Sequence, residues 1–203
     1  MENSSITLPK TKTGYKSFNK IIEVSKKLFA SNGYSSTSIN EIIAQAEIAT
    51  GTFYNYFEDK KAVYIYLLQD YGQKIKQRTR EVLENSNTRY EIERAGLKAF
   101  IKFTIEDPLS YKIIWESLFV DEHLFESYYK DFSISYMKQL AKSQIKNEVD
   151  QDIDLETLSY VLMGIANFIG LQVQFKHNAT DHDIERIIDN VMYILKNGMF
   201  GKK

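Results

Sequence analysis

Two prolines and nine glycines in 203 residues leave this chain few places to turn. A β-rich fold turns about every 8–12 residues and builds those turns largely from these two residue types. So few breakers favour long helices instead. The periodicity agrees. Phe18, Ile21, Ile22, Ser25, Leu28 and Phe29 recur at three- and four-residue spacing, with Lys16, Lys20, Lys26 and Lys27 off that stripe. No segment sustains the alternation of a strand. The expected fold class is all-α.

The helices can be placed from their punctuation. Residues 1–13 are polar and read as a loose arm carrying Lys10 and Lys12. A first helix is predicted from about residue 17 to Asn32-Gly33. A second starts at Ser38, where Ser38 and Glu41 have the spacing of a capping box, and ends near Ala46. Glu47-Ile48 forms a tight turn, and a third short helix covers about 49–56. Longer amphipathic helices follow over about 59–84, 88–106, 108–119, 122–147, 154–176 and 180–197, with Asp107-Pro108, Asp154 and Thr180 as start signals. This predicts a three-helix domain over 1–60 and a larger helical domain over 61–203.

Composition excludes several functions. The net charge of −1 gives no global basic field, so any nucleic-acid surface must be local. There is no cysteine, and His123, His177 and His182 are isolated, so neither a metal site nor a cofactor is expected. No nucleophile–base set, carboxylate pair or phosphate-binding glycine loop points to an enzyme. The apolar stretch at about 160–173 is interrupted by Asn167 and Gln172 and reads as too short for a bilayer. The sequence reading is a soluble, cytoplasmic protein with no membrane segment.

The informative segment is 38–57. Two short helices joined by a tight turn, after a longer one, have the plan of a helix-turn-helix. Phe53 and Phe57 fall on the inward face. Ala49, Thr50, Gly51, Thr52, Tyr54 and Asn55 fall on the outward face, and their small or hydrogen-bonding side chains suit base edges and phosphates. Lys60 and Lys61 follow. The run Thr37-Ser38-Ile39-Asn40-Glu41-Ile42-Ile43-Ala44-Gln45-Ala46, then Gly51-Thr52-Phe53-Tyr54-Asn55-Tyr56-Phe57, then Lys60-Lys61-Ala62, resembles the TetR family of bacterial regulators. The resemblance covers about residues 17–65. It implies that Thr50 and Gly51 lie against base edges, and that Thr52, Tyr54, Tyr56 and Lys60 contact phosphates. Thr37, Ser38 and Asn55 complete the DNA-facing set. The partner would be double-stranded DNA with a palindromic operator. Two positions depart from the family pattern: Glu47 stands at the usual turn glycine, and Ala49 at the usual serine cap. The recognition helix carries no cation, so attraction to DNA must come from Lys10, Lys12, Lys16, Lys60 and Lys61. For the first three the alternative is a solvated tail.

The resemblance also implies a carboxy-terminal domain that encloses a ligand and forms a homodimer. Phe103, Trp115, Phe119, Tyr128, Phe132, Tyr136, Met163 and Asn167 are the candidate pocket residues, suiting a small apolar or aromatic ligand. Asn167 either faces that pocket or is satisfied by a neighbouring helix. Val161, Ile165, Phe168, Ile169, Ile188, Val191 and Leu195 are the candidate dimer residues, with packing inside the monomer as the alternative. The expected function is a repressor released by ligand. The other reading is a DNA-binding dimer controlled by a protein partner.

Overall fold

A computed structural model describes residues 6–199. Among the described residues there are nine helices: α1 (Lys12–Asn32), α2 (Ile39–Ala46), α3 (Thr50–Tyr54), α4 (Lys60–Glu84), α5 (Arg89–Glu106), α6 (Pro108–Val120), α7 (Glu122–Ile145), α8 (Leu155–Phe175) and α9 (Asp181–Asn197). The fold is all-α; among the described residues the one β feature is an isolated antiparallel bridge between Ile6 and Phe57.

The amino terminus corrects the sequence reading. Helix α1 begins at Lys12, five residues early, because Thr11 Oγ1 accepts from Gly14 N at 3.1 Å and caps it. The arm is not loose from Ile6 onward. Thr7 N donates to Tyr56 O at 2.8 Å, and Pro9 is buried. Residues 1–5 of the predicted arm lie outside the described residues.

The caps explain most other boundaries. Ser38 Oγ accepts from Glu41 N at 3.1 Å, but the Glu41 carboxylate reaches Asn32 Nδ2 at 3.4 Å, so no reciprocal box is completed there. Thr88 with Glu91 and Thr180 with Asp183 do form complete boxes at the starts of α5 and α9. The backbone N–H groups of Asn87 and Thr88 hold the Glu91 carboxyl below its ordinary pKa. Gly33 ends α1 at φ +83°, where a side chain would be strained.

The chain forms two compact units. The first comprises residues up to 73 and 109–129. Its core includes Phe18, Ile21, Phe29, Ile42, Phe53, Phe57, Tyr64, Leu67 and Leu68. Here α6 is tied to the end of α1 and the start of α4. The Lys112 ammonium donates to Ala30 O, and Glu116 Oε1 accepts from Tyr34 N at 2.7 Å. Tyr64 Oη donates to Ile113 O at 2.6 Å, and Lys61 pairs with Asp121 at 2.6 Å. That pair raises the lysine pKa and lowers the aspartate's.

The second unit comprises 74–108 and the residues from 130 onward. Helix α5 packs on α8 and α9 around Leu97, Ile101, Val173, Ile184, Ile187, Ile188, Val191 and Met192. Gly170 permits the close approach: a Cβ there would stand 3.3 Å from Phe100 Cε1 and Thr104 Cγ2. Arg94 bridges α5 to Glu185 and Asp189 of α9 at 2.7 Å each. The buried Arg89 pairs with Glu93, which also accepts from Tyr136 Oη.

Helix α8 falls within the predicted 154–176, but its apolar character extends beyond the stretch at 160–173. Its 21 residues reach the length and apolarity of a membrane-crossing helix. Here one face packs on α5, and Ser159 bonds Ser133 at 2.7 Å.

Candidate nucleic-acid interface

The α2–α3 turn stands on an unusual residue. Glu47 has φ 52° and ψ 50°, the left-handed conformation for which glycine is suited. Its N–H closes α2 on Ala44 O, and Ile48 N follows onto Ile43 O. Ala49 precedes α3 with no side-chain cap. Both departures have a direction. Glu47→Gly should raise the unfolding free energy by about 0.5–1 kcal/mol: relief of about 1–2 kcal/mol of left-handed strain outweighs the added freedom of the unfolded chain. Ala49→Ser should add about 1 kcal/mol by capping Thr52 or its neighbour. Chemical denaturation measures both. A less stable Glu47→Gly protein would mean that the exposed Lys20–Glu47 pair, at 3.6 Å, outweighs the backbone term.

The outward face of α3 forms as its residues dictate. Phe53 and Phe57 are fully buried, Phe57 stacking on Phe18 with ring centroids 5.1 Å apart. Thr50, Gly51 and Asn55 are exposed, Thr52 is half-buried, and Tyr54 is 53% exposed with its ring edge against Phe53. Ser38 is exposed and caps α2. Tyr56 is half-buried, edge-on to Phe18.

Two members of the DNA-facing set have other tasks. Thr37 is buried, and its Oγ1 donates to Gly33 O at 2.9 Å. Lys60 Nζ donates to Tyr34 O and Thr37 O at 2.6 Å each and lies 4.3 Å from the Tyr34 ring centroid. Burial lowers its pKa. Lys60 therefore closes the α1–α2 connection, with Glu116 on the same loop. No sequence spacing signals that clamp, since Glu116 lies 82 residues beyond Tyr34.

The candidate ligand residues divide between the units. In the first, Trp115 and Tyr128 belong to a chain of rings: Tyr111 to Trp115 at 6.3 Å, Trp115 to Phe125 at 6.4 Å, Phe125 to Tyr129 at 4.8 Å and Tyr129 to Tyr128 at 5.4 Å. Burial raises the pKa values of Tyr111, Tyr128 and Tyr129, so these phenols stay protonated near neutrality. Phe119 departs from expectation: it is 87% exposed and lines no enclosed wall within the chain. In the second unit, Phe103 is buried beneath Arg78, and Phe132 lies against Lys76. Tyr136 bonds Glu93, and Met163 is half-buried. Asn167 Nδ2 donates to Met163 O at 2.8 Å, within its own helix.

The candidate dimer residues also divide. Ile188 and Val191 are buried in the chain's own core, and the half-buried Ile165 and Ile169 pack partly against it. Val161, Phe168 and Leu195 are exposed, Val161 at 48% and Phe168 at 64%.

Residues 21–67 match the family described as bacterial regulatory proteins, tetR family. YuxN of Bacillus subtilis (strain 168), an uncharacterized HTH-type transcriptional regulator, is 35% identical over 92 residues, 45% of this chain and 30% of that protein. YhgD of the same organism, described in the same words, is 23% identical over 87% of this chain and 93% of its own length. The same fold is found in the transcriptional regulator FadR from Bacillus subtilis, in complex with stearoyl-CoA. That structure has a TM-score of 0.77 and 18% identity, covering 90% of this chain and all of the other.

Proposed function

As a member of the TetR family of bacterial regulatory proteins, this chain is a DNA-binding transcriptional regulator, and we propose that it is a homodimeric repressor released by a small apolar or aromatic ligand. In this reading residues 1–60 are the DNA-reading head, and residues 61–203 take up the ligand and the partner subunit. The reading includes a cytoplasmic location, since its partner is DNA. The aromatic residues of the larger region support the ligand class, as does the FadR fold solved with stearoyl-CoA. The exposed Phe119 beside Leu118 supports the second reading, control by a protein partner docking on α6.

Gly51 carries the choice of DNA-facing surface. It lies inside α3, where glycine costs roughly 0.5–1 kcal/mol against alanine. A Cβ built there meets nothing within 4 Å, so no internal contact requires the missing side chain. Its absence helps only against something outside the chain, and a base edge approached by backbone is such a partner. Gly51→Ala should therefore act in opposite directions on two measurements. Stability rises by about 0.5–1 kcal/mol, while affinity for an operator selected from random duplexes falls. Tyr54→Ala should weaken the same binding at nearly unchanged stability. Full affinity in both variants would remove α3 from the DNA surface.

A further inference from the structure

Charge around the α2–α3 pair is poorly placed for holding an anionic duplex. Residues 47–57 contain one charged side chain, Glu47, and Glu58 and Asp59 follow it. The nearest lysines are engaged: Lys60 on two carbonyls, Lys61 on Asp121, and Lys20 near Glu47. Yet neutralisation of phosphates supplies a large share of affinity for DNA. The cations must come from another element.

The segment ahead of α1 has both the cations and a fixed place. Ile6 bridges Phe57, and Thr7 N bonds Tyr56 O, so its backbone is seated against the last residues of the helix-turn-helix. Gly14 permits the seat: a Cβ there would stand 3.0 Å from Tyr56 Oη, 3.1 Å from Thr11 Oγ1 and 3.2 Å from Pro9 Cβ. Lys10, Lys12 and Lys16 are exposed, and none has an ion pair among the described residues. A merely solvated tail would need no backbone pairing with the residues that follow the recognition helix.

We infer that residues 7–12 form a second DNA-contact element, fixed beside the recognition helix, in which Lys10 and Lys12 neutralise phosphates of the duplex that α3 reads. The inference rests on the regulator reading above. It assigns to this element the electrostatic part of binding and leaves base readout to α3. Phosphate contacts carry no sequence information, so the element acts alike on any duplex.

The test uses the full chain and two probes: a duplex selected by the wild-type protein from a random pool, and an unrelated duplex of equal length. Affinities are measured across a salt series. Lys10→Gln with Lys12→Gln should lower the slope of log K against log salt by about two units on both probes, at unchanged melting temperature. Lys10→Arg with Lys12→Arg should restore the slope. Thr7→Pro, which keeps both lysines and removes the N–H bonded to Tyr56 O, should also lower it. An unchanged slope in the glutamine variant overturns the contact, and an unchanged slope in Thr7→Pro overturns the seat; both leave the regulator reading standing. A wild-type protein that selects no duplex overturns that reading itself.

Discussion

Phe57→Ala should destabilise the protein by about 3–5 kcal/mol, a large part of the roughly 5–15 kcal/mol that holds a typical domain together. The ring is fully buried and touches three others: Phe18 at 5.1 Å, Phe53 at 6.0 Å and Tyr66 at 6.1 Å between centroids. Those rings come from α1, α3 and α4, so the cavity left by alanine would lie where three helices meet and could not be filled by one of them moving. The backbone of the same residue carries the bridge to Ile6. Urea unfolding followed by circular dichroism measures the loss, and DNA binding should vanish with it. A cost below about 1 kcal/mol would mean that the three helices close over the gap.

Val161→Glu with Phe168→Glu should convert a dimer into monomers. These residues lie on the side of α8 turned from the core, and Gly164 between them has open space around its Cβ position. Burying such side chains against a second copy is worth about 1.5–3 kcal/mol each, and two facing pairs of carboxylates reverse the sign. Losing the second reading head removes the gain of binding both half-sites, on the order of 10²–10⁴-fold in affinity for a palindromic duplex. Analytical ultracentrifugation reads the mass. A wild-type monomer at high concentration, or a double variant that remains dimeric, would remove this face from the interface. Ile188→Glu is a poor substitute for this test, because it places a charge inside the chain's own core.

Local rules carried most of the fold. Ser38, Asp154 and Thr180 cap the helices they were read to cap, because a cap needs only residues three apart. The glycine position of the turn was also visible: Glu47 has the left-handed backbone that position requires. The errors came from contacts between residues distant in sequence. Thr11 was hidden as a cap because no apolar stripe follows it for several residues. The seat of the arm depends on Tyr56, some fifty residues later. Lys60 has the position of a phosphate ligand, and only the fold shows two carbonyls within its reach. For α9, periodicity identified an apolar face but could not say whether α5 or a second subunit covers it; for Ile188 and Val191 the cover is internal.

The clamp on the α1–α2 connection bears on how this chain folds as it is made. Ala30 O and Tyr34 N are bonded to Lys112 and Glu116, each 82 residues further on. At about 5–20 residues per second, a ribosome needs roughly 4–16 s to supply those partners after the loop emerges. Over that interval α1, α2 and α3 can meet one another, but the loop between the first two lacks the bonds that fix it. Helices α1 to α3 are thus made before the helix that completes them, and a fragment ended at residue 60 would correspond to that unfinished state.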